Sequence, residues 1–557
     1  MLNENFKLPI MYCEDVQVLS KDVVNDLELD DIFQKYILKS DNIFAKKTSK
    51  KWCSHITSNV GFLEDTQKVI NNMNKFEKIS KTDSTRICEV WNDTKSSDTF
   101  MERYNYFDWH KSVLPLNESP IILQIFSSLG LFYPLISILI PVLTLLFAFI
   151  ILKVKGTKIT FDIFFNMICK HHFSTLTPDK LIYGIFYVGL YIFGVYSNVN
   201  ASQIIYRNIQ NVNKNLFDFK TFITNSIEKM ELFIELNKFI SYKYFCDDIQ
   251  VHLINIKDFY NKVENITPFE LSIKKVGDFG SLLSSYYELR NNAKYDLSFK
   301  FLLGFDGYLD NLSCLYHHID SGVIANATYE KSSKTSFTAK KQIYPPHSCL
   351  PDIITNDADL KQNIIITGPN ASGKTTYIKM TAINIILSQQ IGCGYYEECS
   401  INPFTNIHSY INIPDTSERD SLFQAESRRC KNIIDAIDNS CPNSRHFCIF
   451  DELFTGTTSD SSSKASYSFL VYLCKNENVK FLLTTHYKNV CKKLHKKKNI
   501  KNYKMDVVET KDGLEYSYKI TKGISNVDGA IYVLKELNYP HEIIQTFLSG
   551  STKLIRN

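Results

Sequence analysis

From Ser119 to Leu152 the chain carries no charged residue over 34 positions. Inside that run, Leu129 to Leu152 reads LGLFYPLISILIPVLTLLFAFIIL. About 20 apolar residues are enough to cross a bilayer as a helix. Pro134 and Pro141 would kink a soluble helix, but membrane helices tolerate proline because neighbouring groups re-satisfy the freed backbone. A second uncharged run, Leu181 to Tyr206, has 26 positions and a core rich in Tyr and Gly, LIYGIFYVGLYIFGVY. Together the runs predict a transmembrane helical hairpin that meets a lipid bilayer through 129–152 and 181–206. The alternative is a buried core hairpin in a soluble domain. Length and Leu/Ile content weigh against it for the first run, and the short apolar part of the second leaves it open there.

The rest of the chain is globular in character. Its 557 residues allow about three to five domains at roughly 100–200 residues each. The formal net charge is only +4, which excludes a strongly basic packaging protein and an acidic solubilising one. A local DNA-contacting face remains compatible with it. Met1 to Val16 contains Glu4, Lys7, Glu14 and Asp15 and no apolar core of signal-peptide length, so the chain is expected not to be secreted. The 14 cysteines form no CxxC pair and read as reduced thiols of a cytosolic compartment. Cys169, His171 and His172 cluster, but a zinc site needs a second pair of ligands, and the sequence offers none.

Residues 17–118 read as mostly polar helix, with Phe62, Val69, Met73 and Phe76 on one face. A longer stripe runs through Ile205, Ile209, Val212, Leu216, Phe219, Ile223, Ile227, Met230 and Ile234, at helical steps of three and four. No Pro or Gly lies between Val195 and Ile240, so one helix of about 90 Å could extend from Leu181 to Ile240 at ~1.5 Å per residue. Helical text continues to about Asn326. Tyr329 to Lys341 then reads as a polar linker or edge hairpin, and Pro345-Pro346 opens the final domain.

The chemistry concentrates in that last domain. Asn363 to Thr367, NIIIT, predicts a strand, and GPNASGKTT follows. Gly368, Gly373, Lys374 and Thr375 fit GxxxxGK[ST], with a helix predicted from Tyr377. Glycines let backbone N–H groups curl around phosphate oxygens, and the helix N-terminus adds positive potential. The candidate nucleotide-binding residues are Gly368, Pro369, Asn370, Ala371, Ser372, Gly373, Lys374, Thr375 and Thr376. Lys374 would neutralise the β- and γ-phosphates of ATP, and the Thr375 hydroxyl would ligate Mg²⁺. His446 to Phe450 is an apolar strand ending in Asp451-Glu452. Asp451 would hold Mg²⁺ through water, and Glu452 would orient the attacking water. A third strand, Lys480 to Thr484, ends in Thr485-His486, and His486 reads as a sensor of the γ-phosphate.

These motifs resemble the MutS family of DNA mismatch-repair ATPases, of the ABC-type P-loop superfamily. ITGPNASGKTTYIK is similar to that family's ITGPN-x-x-GK-[ST]-T loop, FDELFTGTTSDSS to its DE-x-x-x-GT-[ST] segment, and LLTTHY to its ATHY. SLFQAE, from Ser421 to Glu426, resembles the ST-F-x-x-E signature. The resemblance therefore implies that Ser421 completes the ATP site of a partner subunit, in a homodimer or a MutS-like heterodimer. YKITKGISNVDGAIYVLKELNYP resembles the family's Y-x-x-x-x-G-x-S segment and the helices after it, which pair subunits. FLEDTQKVI near residue 62 and the stretch 305–323 look like helices of the family's lever. Phe62-Leu63-Glu64 has the letters of the family's Phe-x-Glu wedge, but a helical context makes it a chance match, and the sequence shows no convincing DNA clamp.

The resemblance implies an α/β P-loop (ABC-type) ATPase domain at the C-terminus, preceded by an all-α lever-like region that a transmembrane helical hairpin interrupts. The expected segments are a helical region over 1–118, two spans with a basic loop over 119–206, a second lever part over 207–340, and the ATPase domain with dimerisation helices over 341–557. The loop from Lys153 to Lys180 is net basic, and the positive-inside rule would place it in the cytosol. An ATPase domain facing the cytoplasm from an intracellular membrane places that loop on the other side. The ATP requirement takes precedence. A re-entrant hairpin with its basic loop on the lipid surface would remove the conflict.

Three functions compete. The first is a MutS-like ATPase that couples ATP hydrolysis to double-stranded DNA while tethered to a membrane. The second is a transporter-type ABC ATPase, for which two spans are too few. The third is a membrane scaffold or remodelling ATPase that has lost DNA recognition. The lysines of 46–51 and of 488–504 read as solvated faces, with phosphate contact to DNA or lipid as the alternative.

Overall fold

The computed structural model of the chain describes residues 6–96, 98–173, 178–330, 335–411, 413, 421–497, 499–510, 513–527 and 529–553. Parts of several sequence expectations lie outside them: residues 1–5 of Met1–Val16, 174–177 of the basic loop, 331–334 of the segment read as a linker, 498 of the lysine-rich run and 528 of the C-terminal segment. The chain divides into two compact units, one of Met1–Ser80, Lys229–Gln250 and Lys300–Asn557, the other of Lys81–Glu228 and Val251–Phe299.

The second unit is helical and contains both apolar runs. The first forms α1 (Pro120–Val154), α2 (Phe161–Phe173) follows, and the second run opens α3 (Pro178–Leu236). Ser119 caps α1, and Pro120 stands at its first position, where a missing N–H costs nothing. The base of α1 is fixed by polar contacts with the helices Ile273–Gly277 and Phe279–Asn291: the Gln124 side chain donates to the Val276 carbonyl of the first and accepts from Gly280 N–H of the second, both at 2.8 Å. Gly280 lies so close to the Pro120 carbonyl that a Cβ would sit 2.0 Å from it. Nearby, the Asp93 carboxylate accepts from Tyr104 and Tyr286 hydroxyls at 2.6 Å each and from Arg103 at 2.7 Å. Beyond this base the apolar side chains of α1 and of early α3 face outward. Of the predicted stripe along α3, Ile209, Val212, Leu216, Phe219, Ile223 and Met230 are buried.

The first unit carries the α/β part. Its larger sheet is built from β1 (Asn363–Thr367), β2 (Asn406–Tyr410), β3 (His446–Asp451), β4 (Val479–Thr484), β5 (Ile500–Glu509) and β6 (Leu514–Lys522). The order across the sheet is β6-β5-β1-β4-β3-β2. All neighbours pair in parallel except β5 and β6. Parallel strands covered on both faces read as continuous apolar runs, which is why NIIIT and HFCIF lack alternation. The covering helices are α4 (Lys374–Ser388), α5 (Leu422–Asp438) and α6 (Ser459–Leu473). Phe450, Phe469, Leu470, Phe481 and Leu483 form the centre of the core beneath α5 and α6.

A second sheet runs in the order Asn356–Asp359, Phe337–Gln342, Glu398–Ile401, Ala325–Tyr329, Cys393–Gly394. Within the segment expected as a linker or edge hairpin, 337–341 belongs to an internal strand of this sheet. The strands on either side of 331–334 never pair with each other, because Glu398–Ile401 lies between them, parallel to one and antiparallel to the other. Local polarity hid this, since the partner strand comes about sixty residues later in the chain. The N-terminal region also departs from all-α: Val16–Val18 and His55–Thr57 pair as a short antiparallel ribbon. Cys393 and Cys399 form no disulfide, and burial pushes both thiols up to about 12.

The N-terminal helices of this unit dock on the α/β part through buried polar groups. Gln389, just past α4, donates to the Phe404 carbonyl at 2.7 Å and to the Thr57 carbonyl at 3.2 Å, and accepts from Phe404 N–H at 2.9 Å. Gln390 reaches the Trp52 carbonyl at 2.7 Å. Removing the Gln389 amide would leave backbone groups buried without partners, at a cost of about 2–3 kcal/mol. We expect Gln389→Ala to lower the urea midpoint accordingly, followed by tryptophan fluorescence, and a loss under about 1 kcal/mol would show that water replaces the amide.

Candidate functional site

The parallel strands end along one edge of the sheet, and the candidate residues gather there. β1 is central and fully buried. The loop 368–373 leaves its end and turns into α4. Two residues of that loop take left-handed backbone, Ala371 at φ 59° and Gly373 at φ 94°. Such turns aim successive N–H groups inward and make an anion-binding concavity, to which the N-terminus of α4 adds its dipole. Asn370 and Ala371 are exposed on the rim, whereas Pro369 and Ser372 are buried, and the Ser372 hydroxyl donates to the Pro369 carbonyl at 2.8 Å. Thr376 is half-buried on the first turn of α4.

Lys374 is folded back under its own loop. Its Nζ donates to the Gly368 and Pro369 carbonyls, each at 3.1 Å. It lies 3.4 Å from His486 Nε2 and 3.9 Å from Glu452 Oε1. Burial pushes the Lys374 amine below the usual lysine range, opposed by the charges of Glu452 and Asp451. The Thr375 hydroxyl donates to Asp451 Oδ2 at 2.8 Å, and Thr484, at the end of β4, donates to Asp451 Oδ1. Asp451 thus joins the loop–helix unit to two strand ends.

Glu452 sits at φ 51°, in left-handed backbone that a residue with a side chain adopts only when its surroundings hold it there. Two bonds do so: its N–H donates to the Thr484 carbonyl at 3.1 Å and to the Thr484 hydroxyl at 3.3 Å. Its carboxylate meets His486 Nε2 at 2.9 Å. The hydrogen bond from His486 holds the Glu452 carboxyl below the usual range, against the opposing effect of burial and with help from the charges of His486 and Lys374. An acceptor with its pKa depressed is ionised at neutral pH, as a base that orients water must be.

Ser421 does not join this cluster within the chain. It is exposed and caps α5 in a reciprocal box with Gln424. Glu426, on the first turns of α5, does reach the loop that follows Glu452. It accepts from Thr455 N–H at 2.8 Å, the Thr455 hydroxyl at 2.9 Å and Gly456 N–H at 3.1 Å. A Cβ on Gly456 would lie 2.6 Å from Phe423 N, so only glycine allows this approach.

Thr484 and Asp26 escaped the sequence reading, whereas Ser525, Gly529 and Tyr518 stand in the C-terminal segment it singled out but were given no place at the site. Thr484 ends an apolar strand and carries no motif of its own. Ser525 N–H donates to Thr367 Oγ1 at 2.7 Å, and Gly529 packs on Pro369, so the C-terminal segment backs the loop. Tyr518 has φ 55° within β6, held by Asn356, and its ring lies beside Gly373. Asp26, on the short helix Lys21–Asp26, accepts from Ser409 at 2.7 Å, Ile411 N–H at 3.1 Å and Arg429 of α5 at 3.1 Å, while Asp22 also pairs with Arg429.

A mixed sheet with this loop, acid pair and histidine at one edge defines an α/β domain suited to holding phosphates. Residues 364–554 match the family description MutS domain V. Among curated proteins, the DNA mismatch repair protein MutS of Persephonella marina is 28% identical over 200 residues, covering 35% of this chain and 22% of that protein. The protein of the same name from Caldicellulosiruptor saccharolyticus is 30% identical over 202 residues, covering 35% of this chain and 23% of its own length. The C-terminal domain, 35% of the chain by these matches, is thus similar to domain V of MutS proteins. The match spans less than a quarter of the length of these relatives.

A buried ammonium whose pKa is lowered costs folding stability at neutral pH, a cost that disappears only as pH rises through the folded value. We expect Lys374→Met to leave the melting temperature of the nucleotide-free protein unchanged or slightly raised at pH 7. A drop of several degrees, measured by scanning calorimetry, would mean that the two carbonyl bonds outweigh the burial.

Proposed function

We propose that the chain binds and hydrolyses ATP at the edge of its larger sheet and couples the cycle to DNA, as a MutS-type ATPase tethered to a membrane. The observation that carries this reading is the convergence of Lys374, Thr375, Asp451, Glu452 and His486 within hydrogen-bond or ion-pair reach of one another. The loop from Gly368 to Gly373 would cradle the phosphates, and Lys374 would exchange its loop carbonyls for phosphate oxygens. The paired oxygens of Thr375 and Asp451 suit a hard divalent cation, so these residues would hold Mg²⁺, which would offset charge on the phosphates. Glu452 orients the attacking water as an ionised acceptor. His486, bonded to that carboxylate, reports on what lies between it and Lys374.

Ser421 belongs to the dimer arm of the proposal. It is exposed at the N-terminus of α5, where a hydroxyl and a helix dipole together favour a phosphate presented by a second subunit. Glu426 connects that helix to the loop after Glu452, so the two halves of a composite site would move together. The DNA part rests on the relatives, which are named DNA mismatch repair proteins. The membrane part rests on α1 and α3, which are long and apolar enough to cross a bilayer. In this reading the ATPase domain faces the cytoplasm from an intracellular membrane.

Steady-state ATP hydrolysis by the full chain in detergent or nanodiscs tests the reading, without DNA, with matched duplex and with mismatched duplex. We expect turnover that rises with DNA, nucleotide binding lost in Lys374→Ala, and binding retained with turnover reduced by about 10²-fold or more in Glu452→Ala. Hydrolysis indifferent to DNA but raised by added lipid would favour the scaffold or remodelling reading. Normal turnover in Glu452→Ala would remove the role given to that carboxylate.

A further inference from the structure

Two kinds of soluble-protein segment imitate a membrane helix, a buried core helix and an N-terminal signal. Neither describes this pair. The segments begin at residues 120 and 181, and their most apolar stretches are 6% and 0% buried. On α1, Ile138, Leu139, Ile140, Val142 and Leu143 are all exposed. With Pro141, also exposed, these consecutive positions point around the whole helix, not along one face. The same holds for Ile185, Phe186, Tyr187 and Val188 on α3. A helix lying in the membrane surface needs one polar face, and these have none.

The two helices are held antiparallel by contacts at successive depths. Gly130 faces Ile205, whose Cδ1 would be 2.6 Å from a Cβ there. Ser202 donates to the Leu131 carbonyl at 2.8 Å. Deeper, Pro141 lacks the N–H that would otherwise bond the Ser137 carbonyl. The Tyr191 hydroxyl of α3 reaches that carbonyl at 3.3 Å. The Ser137 and Thr144 hydroxyls donate to the Pro134 and Pro141 carbonyls, each at 2.8 Å. The carbonyl freed by Pro141 is thus re-satisfied inside the hairpin, which hydrocarbon requires and water does not.

Length decides between entering and crossing. Leu129 to Leu152 is about 36 Å of straight helix, and the hydrocarbon layer is about 30 Å thick. A re-entrant path would leave the tip at mid-depth. The tip, however, carries Lys153, Lys155, Lys158 and Asp162, and Gly156 at φ 82° turns the chain there. Charges at that density are costly in hydrocarbon and favourable at a headgroup layer. Just beyond lies α2, with Phe161, Ile163, Phe165 and Met167 exposed and Phe164 packed on Phe149 of α1 at 5.4 Å.

We propose that α1 and α3 cross the whole bilayer as a closed hairpin, and that α2 lies in the opposite interface, its apolar side chains in the acyl boundary and Lys153, Lys155 and Lys158 among lipid phosphates. This rests on the membrane-tether reading and replaces the re-entrant path that sequence left open.

The test uses the full chain in sealed vesicles from expressing cells. A carbonate wash comes first. Extraction by carbonate would overturn the tether itself, and the crossing with it. On the retained protein, an amine reagent that does not cross membranes is applied to intact and to opened vesicles, and labelled lysines are read by mass spectrometry. Lys155 and Lys158 should label from the side opposite to Lys111 and Lys214, which flank the base of the hairpin. Lys155→Arg with Lys158→Arg should lose the tip signal and keep carbonate resistance. Tip and base labelling from one side, in carbonate-resistant protein, would overturn the crossing while leaving the tether standing.

Discussion

A single carboxylate ties the candidate site together. Asp451 ends β3, takes a hydrogen bond from Thr375 on α4 and another from Thr484 at the end of the neighbouring strand. Parallel pairing brings the ends of β1, β4 and β3 to the same edge, and Asp451 links the ends of β3 and β4 to the start of α4. Glu452 inherits its position from this link. Its left-handed backbone is held by the same Thr484, and its side chain is thereby turned toward His486 and Lys374. The cluster is therefore one unit whose members share supports, and substitutions within it are expected to combine non-additively.

The same reasoning extends outward through α5. Glu426 grips the loop after Glu452, and Arg429, one turn further along, is held by Asp22 and Asp26 from the N-terminal helix. Residues three apart on a helix are neighbours, so the two grips act on nearly the same face. Burial raises the Asp26 carboxyl above its ordinary range, opposed by the Ser409 and Ile411 bonds and the charge of Lys379. A contact that costs this much to desolvate is worth keeping for position rather than for stability. It binds the start of the chain to the helix that carries Ser421.

Much of this was legible from sequence, for a physical reason. A phosphate-binding loop is local: strand, glycine turn and helix follow one another, so their letters stand side by side. Asp451-Glu452 and His486 each end an apolar strand, and parallel topology then brings them to one edge without further coding. The apolar runs and the α3 stripe are likewise local periodicities. What stayed hidden depends on distant pairing. Glu398–Ile401 inserts between two strands that look like a linker, and no residue near 330 announces it. Thr484 is one letter in an apolar run, and Asp26 an ordinary surface-type residue in a polar helix. Ser421 was legible as a motif, but its capping box with Gln424 was not, because the same hydroxyl serves both descriptions.

The inserted strand also sets a timetable. Ribosomes release chain at roughly 5–20 residues per second, so the segments 325–329 and 337–342 emerge several seconds before 398–401, the strand that will lie between them. During that interval each presents an unpaired backbone edge, and the phosphate loop and α4 are made inside the same window. The smaller sheet therefore closes only after the nucleotide-type loop exists, and the chain cannot mature strictly from front to back. Until then its nascent form carries strand edges open to pairing with other chains.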